Sequence, residues 1–106
     1  MTNTGPRPRP DMGQQLDQLP DWQLGDDALR VAYRFESSAT ALEFIATVGL
    51  EAEKINHHPD MIWRRETVQV EIVFSSLKKV ADQDLQLAAR IGSSADAVDG
   101  IPIDLE

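Results

Sequence analysis

Apolar and polar residues alternate in two long stretches of this chain. Leu29, Val31, Tyr33 and Phe35 are interleaved with Arg30, Ala32 and Arg34, and Val68, Val70, Ile72 and Phe74 with Gln69 and Glu71. A period of two sends successive side chains to opposite faces, so each stretch predicts a half-buried β-strand. Two shorter extended pieces accompany them. Trp22 to Leu24 precedes the turn signal Gly25-Asp26-Asp27, and Met61 to Arg65 precedes the second long strand. Elsewhere the apolar period lengthens. Leu42, Ile45, Val48, Ala52 and Ile55 recur at spacings of three and four, which predicts an amphipathic helix that Ser37 or Ser38 can cap. Ala81, Leu85, Ala88 and Ile91 predict a last helix reaching toward Val98, and Leu16 and Leu19 suggest a short one before Pro20. Gly100-Ile101-Pro102 is expected to end regular structure.

The resulting order is helix, strand, strand, helix, strand, strand, helix. It predicts an α+β fold, a four-stranded antiparallel sheet with helices packed on one face. Leu29, Val31, Tyr33, Phe35, Val68, Val70, Ile72 and Phe74 should largely face the helices, with Leu42, Ile45, Val48, Leu85 and Ala88 packed on them.

A length of 106 residues suits one domain. Pro6, Pro8 and Pro10 alternate with Arg7 and Arg9, so residues 1–12 are expected to be a disordered Pro-rich tail. The folded domain is expected over 13–100, followed by an acidic tail over 101–106 containing Asp104 and Glu106. Eighteen acidic residues against ten basic ones give a net charge of −8. The basic pairs Arg64-Arg65 and Lys78-Lys79 are too few for a phosphate-binding surface, which disfavours nucleic acid. No apolar run approaches the length of a membrane span, and no apolar signal-peptide core opens the chain. The absence of cysteine excludes disulfides, thiolate nucleophiles and zinc-thiolate sites, in keeping with a cytoplasmic protein.

The only histidines are adjacent, in Glu53-Lys54-Ile55-Asn56-His57-His58-Pro59-Asp60, where a helix gives way to a strand. Imidazole titrates nearest neutrality, so the pair suits proton transfer; it equally suits a polar helix terminus. Side chains of neighbouring residues diverge, and no Asp, Glu or His completes a ligand set, so a metal site is not expected.

Glu53, Lys54, His57, His58, Pro59 and Asp60, with Asp84, Leu87 and Ala88 further on, resemble the signature of the pterin-4a-carbinolamine dehydratase family. The resemblance implies a four-stranded antiparallel sheet covered by helices, assembled into dimers or tetramers. It also implies dehydration of a 4a-hydroxytetrahydropterin without metal or other cofactor. The catalytic residues it implies are His57 and His58, with Glu53, Asp84 and the position of Met61 at the pterin. The chain departs from the family pattern in four places. The family's third histidine falls on Ser75, its tryptophan on Met61, its arginine on Gln83, and the glycine opening its last helix on Lys79. Serine needs an activating base before it can exchange protons near neutrality, and methionine offers no flat ring for stacking.

Two functions follow. One is an active 4a-hydroxytetrahydrobiopterin dehydratase, supported by Glu53, His57, His58 and Asp84. The other is a protein-binding relative with dehydratase activity absent or reduced, supported by Ser75, Met61 and Gln83. The second resembles the degenerate α-carboxysome-associated branch of the family, whose members act as Rubisco assembly factors. That resemblance implies a Rubisco partner, carboxysome association and a homodimer. Trp63, Arg64 and Arg65 are the expected partner-binding residues, since Trp and Arg are enriched at binding hot spots.

Overall fold

A computed structural model describes residues 19–74 and 80–105. The expected Pro-rich tail, Leu16, Ser75, Lys78-Lys79 and Glu106 lie outside the described residues. The elements run β1 (Gln23–Leu24), β2 (Ala28–Arg34), α1 (Ser38–Ile55), β3 (Asp60–Arg64), β4 (Thr67–Val73), α2 (Asp82–Ala97) and β5 (Ile101–Ile103). The strands form one antiparallel sheet in the order β1-β2-β4-β3, and β5 also pairs with β2.

Among the described residues the sheet has five strands where four were expected, yet it remains four lanes wide. β4 pairs with β2 along its whole length, from Ala28 to Arg34. The other edge of β2 is shared: β1 takes Leu29 and Arg30, and β5 takes Ala32 to Arg34. The expectation that regular structure ends at Gly100-Ile101-Pro102 is therefore corrected. Ile101–Ile103 returns along β2 instead of trailing into solvent. Asp99 turns the chain with φ 58°. Gly100 then passes against Phe35 so closely that a Cβ there would lie 2.6 Å from the ring. Pro102 sits opposite Tyr33, on a sheet edge where its missing N–H is tolerated.

The alternating residues do face the helices. Leu29, Val31, Tyr33, Phe35, Val68, Val70, Ile72 and Phe74 are all buried. The face of α1 differs from the expected stripe. Ala41, Phe44, Val48 and Ala52 are buried, while Leu42 is 49% exposed. The spacing allows either phase, and the aromatic packing decides between them. Phe44 stands 4.8 Å from Phe35 and 5.6 Å from Tyr33, centroid to centroid, a contact that Leu42 could not supply. Ile45 lies at the margin of this core, and Leu85 and Ala88 of α2 are buried in it as expected. At the start of α1, the Ser37 hydroxyl accepts the Thr40 N–H at 3.2 Å. The helices are tied together by Glu51, which accepts from Arg90 at 2.8 Å.

Candidate functional site

The adjacent histidines stand at the junction of α1 and β3, and the backbone separates their side chains. Asn56 adopts the left-handed conformation, φ 51° and ψ 44°, and its N–H reaches the carbonyls of Ala52 and Glu53. The His57 N–H also bonds to Ala52 O, at 3.1 Å, closing the helix end. Pro59 then fixes the exit into β3. Asn is among the few non-glycine residues that enter this conformation readily, which is why the helix stops one residue before the pair.

His57 turns inward. Its Nε2 lies 2.5 Å from Asp84 Oδ1, and the Asp84 side chain is fully buried. Asp84 Oδ2 accepts the backbone N–H of Ala81 at 2.7 Å, at the N-cap of α2. This carboxylate therefore caps α2 and holds the imidazole of another element at once. His58 turns outward. Its Nε2 lies 2.5 Å from Glu53 Oε2, and both side chains are more than half exposed. In the tautomer that carries its proton on Nε2, each imidazole donates to its carboxylate and presents Nδ1 as its lone pair. Two imidazoles oriented by carboxylates, one anchored and one accessible, can deliver and remove protons on a small molecule at this rim.

The structure thus brings together Glu53, His57, His58 and Asp84, four of the residues singled out from the sequence. Met61 occupies β3 opposite Val70, on the helix-covered side of the sheet, and packs at the margin of the core. Gln83 is exposed in the first turn of α2. Sequence reasoning missed the Ala81 N–H as a partner of Asp84. A backbone donor carries no residue-type signal, and only the spacing of three between Ala81 and Asp84 could have suggested it.

Trp63, Arg64 and Arg65 do not form one surface. Trp63 pairs with Val68 on the helix-covered side, is 47% exposed at the sheet edge, and donates its Nε1–H to Arg65 O at 2.6 Å. Arg65 lies in the two-residue turn before β4, with φ 55°. Arg64 points to the opposite, helix-free side. There the register sets Arg64 beside Thr67 and Thr67 beside Arg34. Arg34 and Arg64 flank a hollow floored by Ala32 and Gln69 and walled by Ile62 and Ile103. Ala32 creates the hollow, because the smallest side chain of that row sits among long ones. Further along the same face, Arg30 pairs with Glu71 at 2.5 Å, and the carboxylate raises the guanidinium pKa.

Among the described residues, no helix is long and apolar enough to cross a membrane. No group of three or more His, Cys, Asp or Glu residues among them could hold a metal ion.

Comparison with known proteins agrees with this fold. The family model described as pterin 4 alpha carbinolamine dehydratase matches residues 7–94. A candidate dehydratase of that name from Prochlorococcus marinus (strain MIT 9303) is 37% identical over 75 residues, 71% of this chain and 78% of its own length. Another, from Opitutus terrae, is 37% identical over 82 residues, covering 76% of this chain and 84% of its own. The crystal structure of a transcriptional coactivator/pterin dehydratase from Brucella melitensis superposes with a TM-score of 0.72 at 30% identity, covering 79% of this chain and 92% of that one. The chain belongs to the pterin-4a-carbinolamine dehydratase family.

Proposed function

We propose that this protein is a pterin-dehydratase-like assembly factor that binds a protein partner, with dehydratase activity absent or strongly reduced. The observation that carries this reading is the dual engagement of Asp84, which caps α2 and anchors His57. That tie gives the most buried part of the histidine pair a structural reason to persist without turnover. The other positions of the family's site are poor in the groups that dehydration needs. Met61 stands where the family has a stacking tryptophan, Gln83 where it has an arginine, and Ser75 where it has a third proton-transfer group.

The partner is a subunit or folding intermediate of a large enzyme, with Rubisco the assignment implied by the resemblance to the carboxysome-associated branch. The protein then works as a homodimer in the cytoplasm or at the carboxysome. The docking residues lie around the β3–β4 corner: Arg64 on the helix-free face, Arg65 in the turn and Trp63 at the sheet edge on the other face. Localised basic contacts on an acidic chain favour one partner while the overall negative charge discourages others. Co-expression tests this. Soluble, assembled Rubisco should rise when the protein is present and fall back on charge reversal at Arg64 and Arg65. An unchanged yield across a range of expression levels would remove the Rubisco assignment.

A second reading is an active dehydratase with a pterin ligand. The exposed His58–Glu53 pair favours it, because that pair ties no elements together yet is oriented for proton transfer. Turnover of a 4a-hydroxytetrahydropterin at the rate of an intact family member would establish this reading over the first.

A further inference from the structure

The helix-free face of the sheet carries an order that neither function uses in full. Residues opposite one another in an antiparallel sheet share a face, so the register sorts this one into rows across the strands. The first row sets Arg34 beside Thr67 and Thr67 beside Arg64. The second runs Ile103, Ala32, Gln69 and Ile62. The third sets Arg30 beside Glu71 and Glu71 beside Asp60. Arg30 and Glu71 pair at 2.5 Å and cancel, so the third row carries the charge of Asp60. Along a strand the face is therefore basic, then apolar, then acidic, with about 6.8 Å between rows. Its middle row is hollow. Ala32 is only 5% exposed at the floor, while Ile62, 47% exposed, stands at one rim and Ile103 at the other.

We propose that this face seats an amphipathic helix of a partner protein, one that carries a carboxylate, a bulky aliphatic residue and a cation at successive spacings of four. The inference rests on the protein-binding reading and names the partner's chemistry. Residues four apart on a helix rise about 6 Å and share a face, which matches the spacing of the rows. The carboxylate meets Arg34 and Arg64, the aliphatic side chain fills the hollow between Ile62 and Ile103, and the cation meets Asp60. An extended strand has the same repeat, but laid on a sheet face it leaves its N–H and C=O groups unpaired, whereas a helix satisfies its own. Exposed ion pairs contribute little, so the aliphatic residue supplies most of the affinity and the charges select the partner. A second copy of this chain fits poorly. A net charge of −8 opposes self-docking, and in α1 the residues four before and four after the exposed Leu50 are Ala46 and Lys54, so the carboxylate is missing.

The probe is a fluorescently labelled, alanine-based helical peptide with glutamate, leucine and lysine at spacings of four, titrated with the full chain and read by anisotropy. Binding should be saturable, and replacing the leucine with alanine should weaken it about tenfold or more. Ala32→Leu fills the hollow and should abolish binding. Arg34→Glu, at an exposed position, should weaken binding about fivefold, and a peptide with lysine in place of its glutamate should recover it. Should Ala32→Leu fail to fold, Arg34→Glu and its rescue decide alone. No saturable binding, equal binding of the leucine and alanine peptides, or indifference of Arg34→Glu to both charges would overturn the proposal. So would an Ala32→Leu variant that breaks an oligomer of the wild-type chain while that chain ignores the peptide, since the face would then belong to a second copy. Co-expression separates this inference from the reading beneath it. A gain in assembled Rubisco that survives Ala32→Leu and Arg34→Glu keeps the protein-binding reading and overturns this seat. Selective peptide binding without any effect on Rubisco keeps the seat and removes Rubisco.

Discussion

His57 and His58 are neighbours in sequence and opposites in environment. The His57 side chain is 12% exposed and held by a carboxylate with no exposure at all; the His58 side chain is 53% exposed and held by one exposed by 73%. The same chemical pairing therefore has two physical meanings. At His57 it joins two helices inside the protein, where losing one partner leaves the other buried and unsatisfied. At His58 water replaces a lost partner at little cost, and only chemistry at the rim would register the change. A proton-transfer site needs both members, whereas the fold needs only the first.

Ile72→Ala should have the largest effect, because it loosens the sheet beneath both pairs. A loss of about 2–5 kcal/mol in chemical denaturation is expected for a large-to-small change at a fully buried site. A loss within error would place Ile72 outside the core. Asp84→Ala comes next, since it strands the buried imidazole and uncaps α2; about 2–4 kcal/mol should disappear. A negligible change there would collapse the contrast between the two histidines.

The third comparison is read in turnover. Ser75→His should raise any residual dehydration, and His58→Ala should abolish it, each by about tenfold to a hundredfold in a stopped assay with authentic 4a-hydroxypterin. If Ser75→His leaves turnover flat while the fold is intact, the deficit lies instead at Met61 or Gln83. Glu53→Gln should then change stability by less than about 0.5 kcal/mol, as exposed pairs do. A larger loss would show that the outer pair also holds the fold.

The smallest effect belongs to Glu51, between the two helices. Lys54 and then Arg90 lower its carboxyl pKa. A folded pKa below the unfolded one gives stability that is present above the ordinary carboxylate range and lost as pH falls through the folded value. Glu51→Gln should therefore lower the neutral plateau slightly, leave the low-pH end unmoved, and so flatten the acid limb of the stability profile. A steeper acid limb in the variant would contradict the assigned sign.

Much of the fold was determined by the sequence itself. Strict alternation from Leu29 to Phe35 and from Val68 to Phe74 fixes the face of each strand, because a slip of one residue would drive arginine and glutamate into the core. The histidine junction was likewise legible, because the apolar helical pattern gives way there to Pro59 and a strand-like segment. Three features needed the tertiary structure. The burial of Phe44 over Leu42 depended on which side chain could meet Phe35 and Tyr33, a matter of shape that periodicity does not encode. The pairing of Ile101–Ile103 depended on a free stretch of β2's edge, which three residues with a central proline do not announce. The unlike fates of His57 and His58 depended on where α2 begins. Local patterns fix what a residue prefers to do, but burial and partnership are set by chain segments distant in sequence, and only the folded chain brings those together.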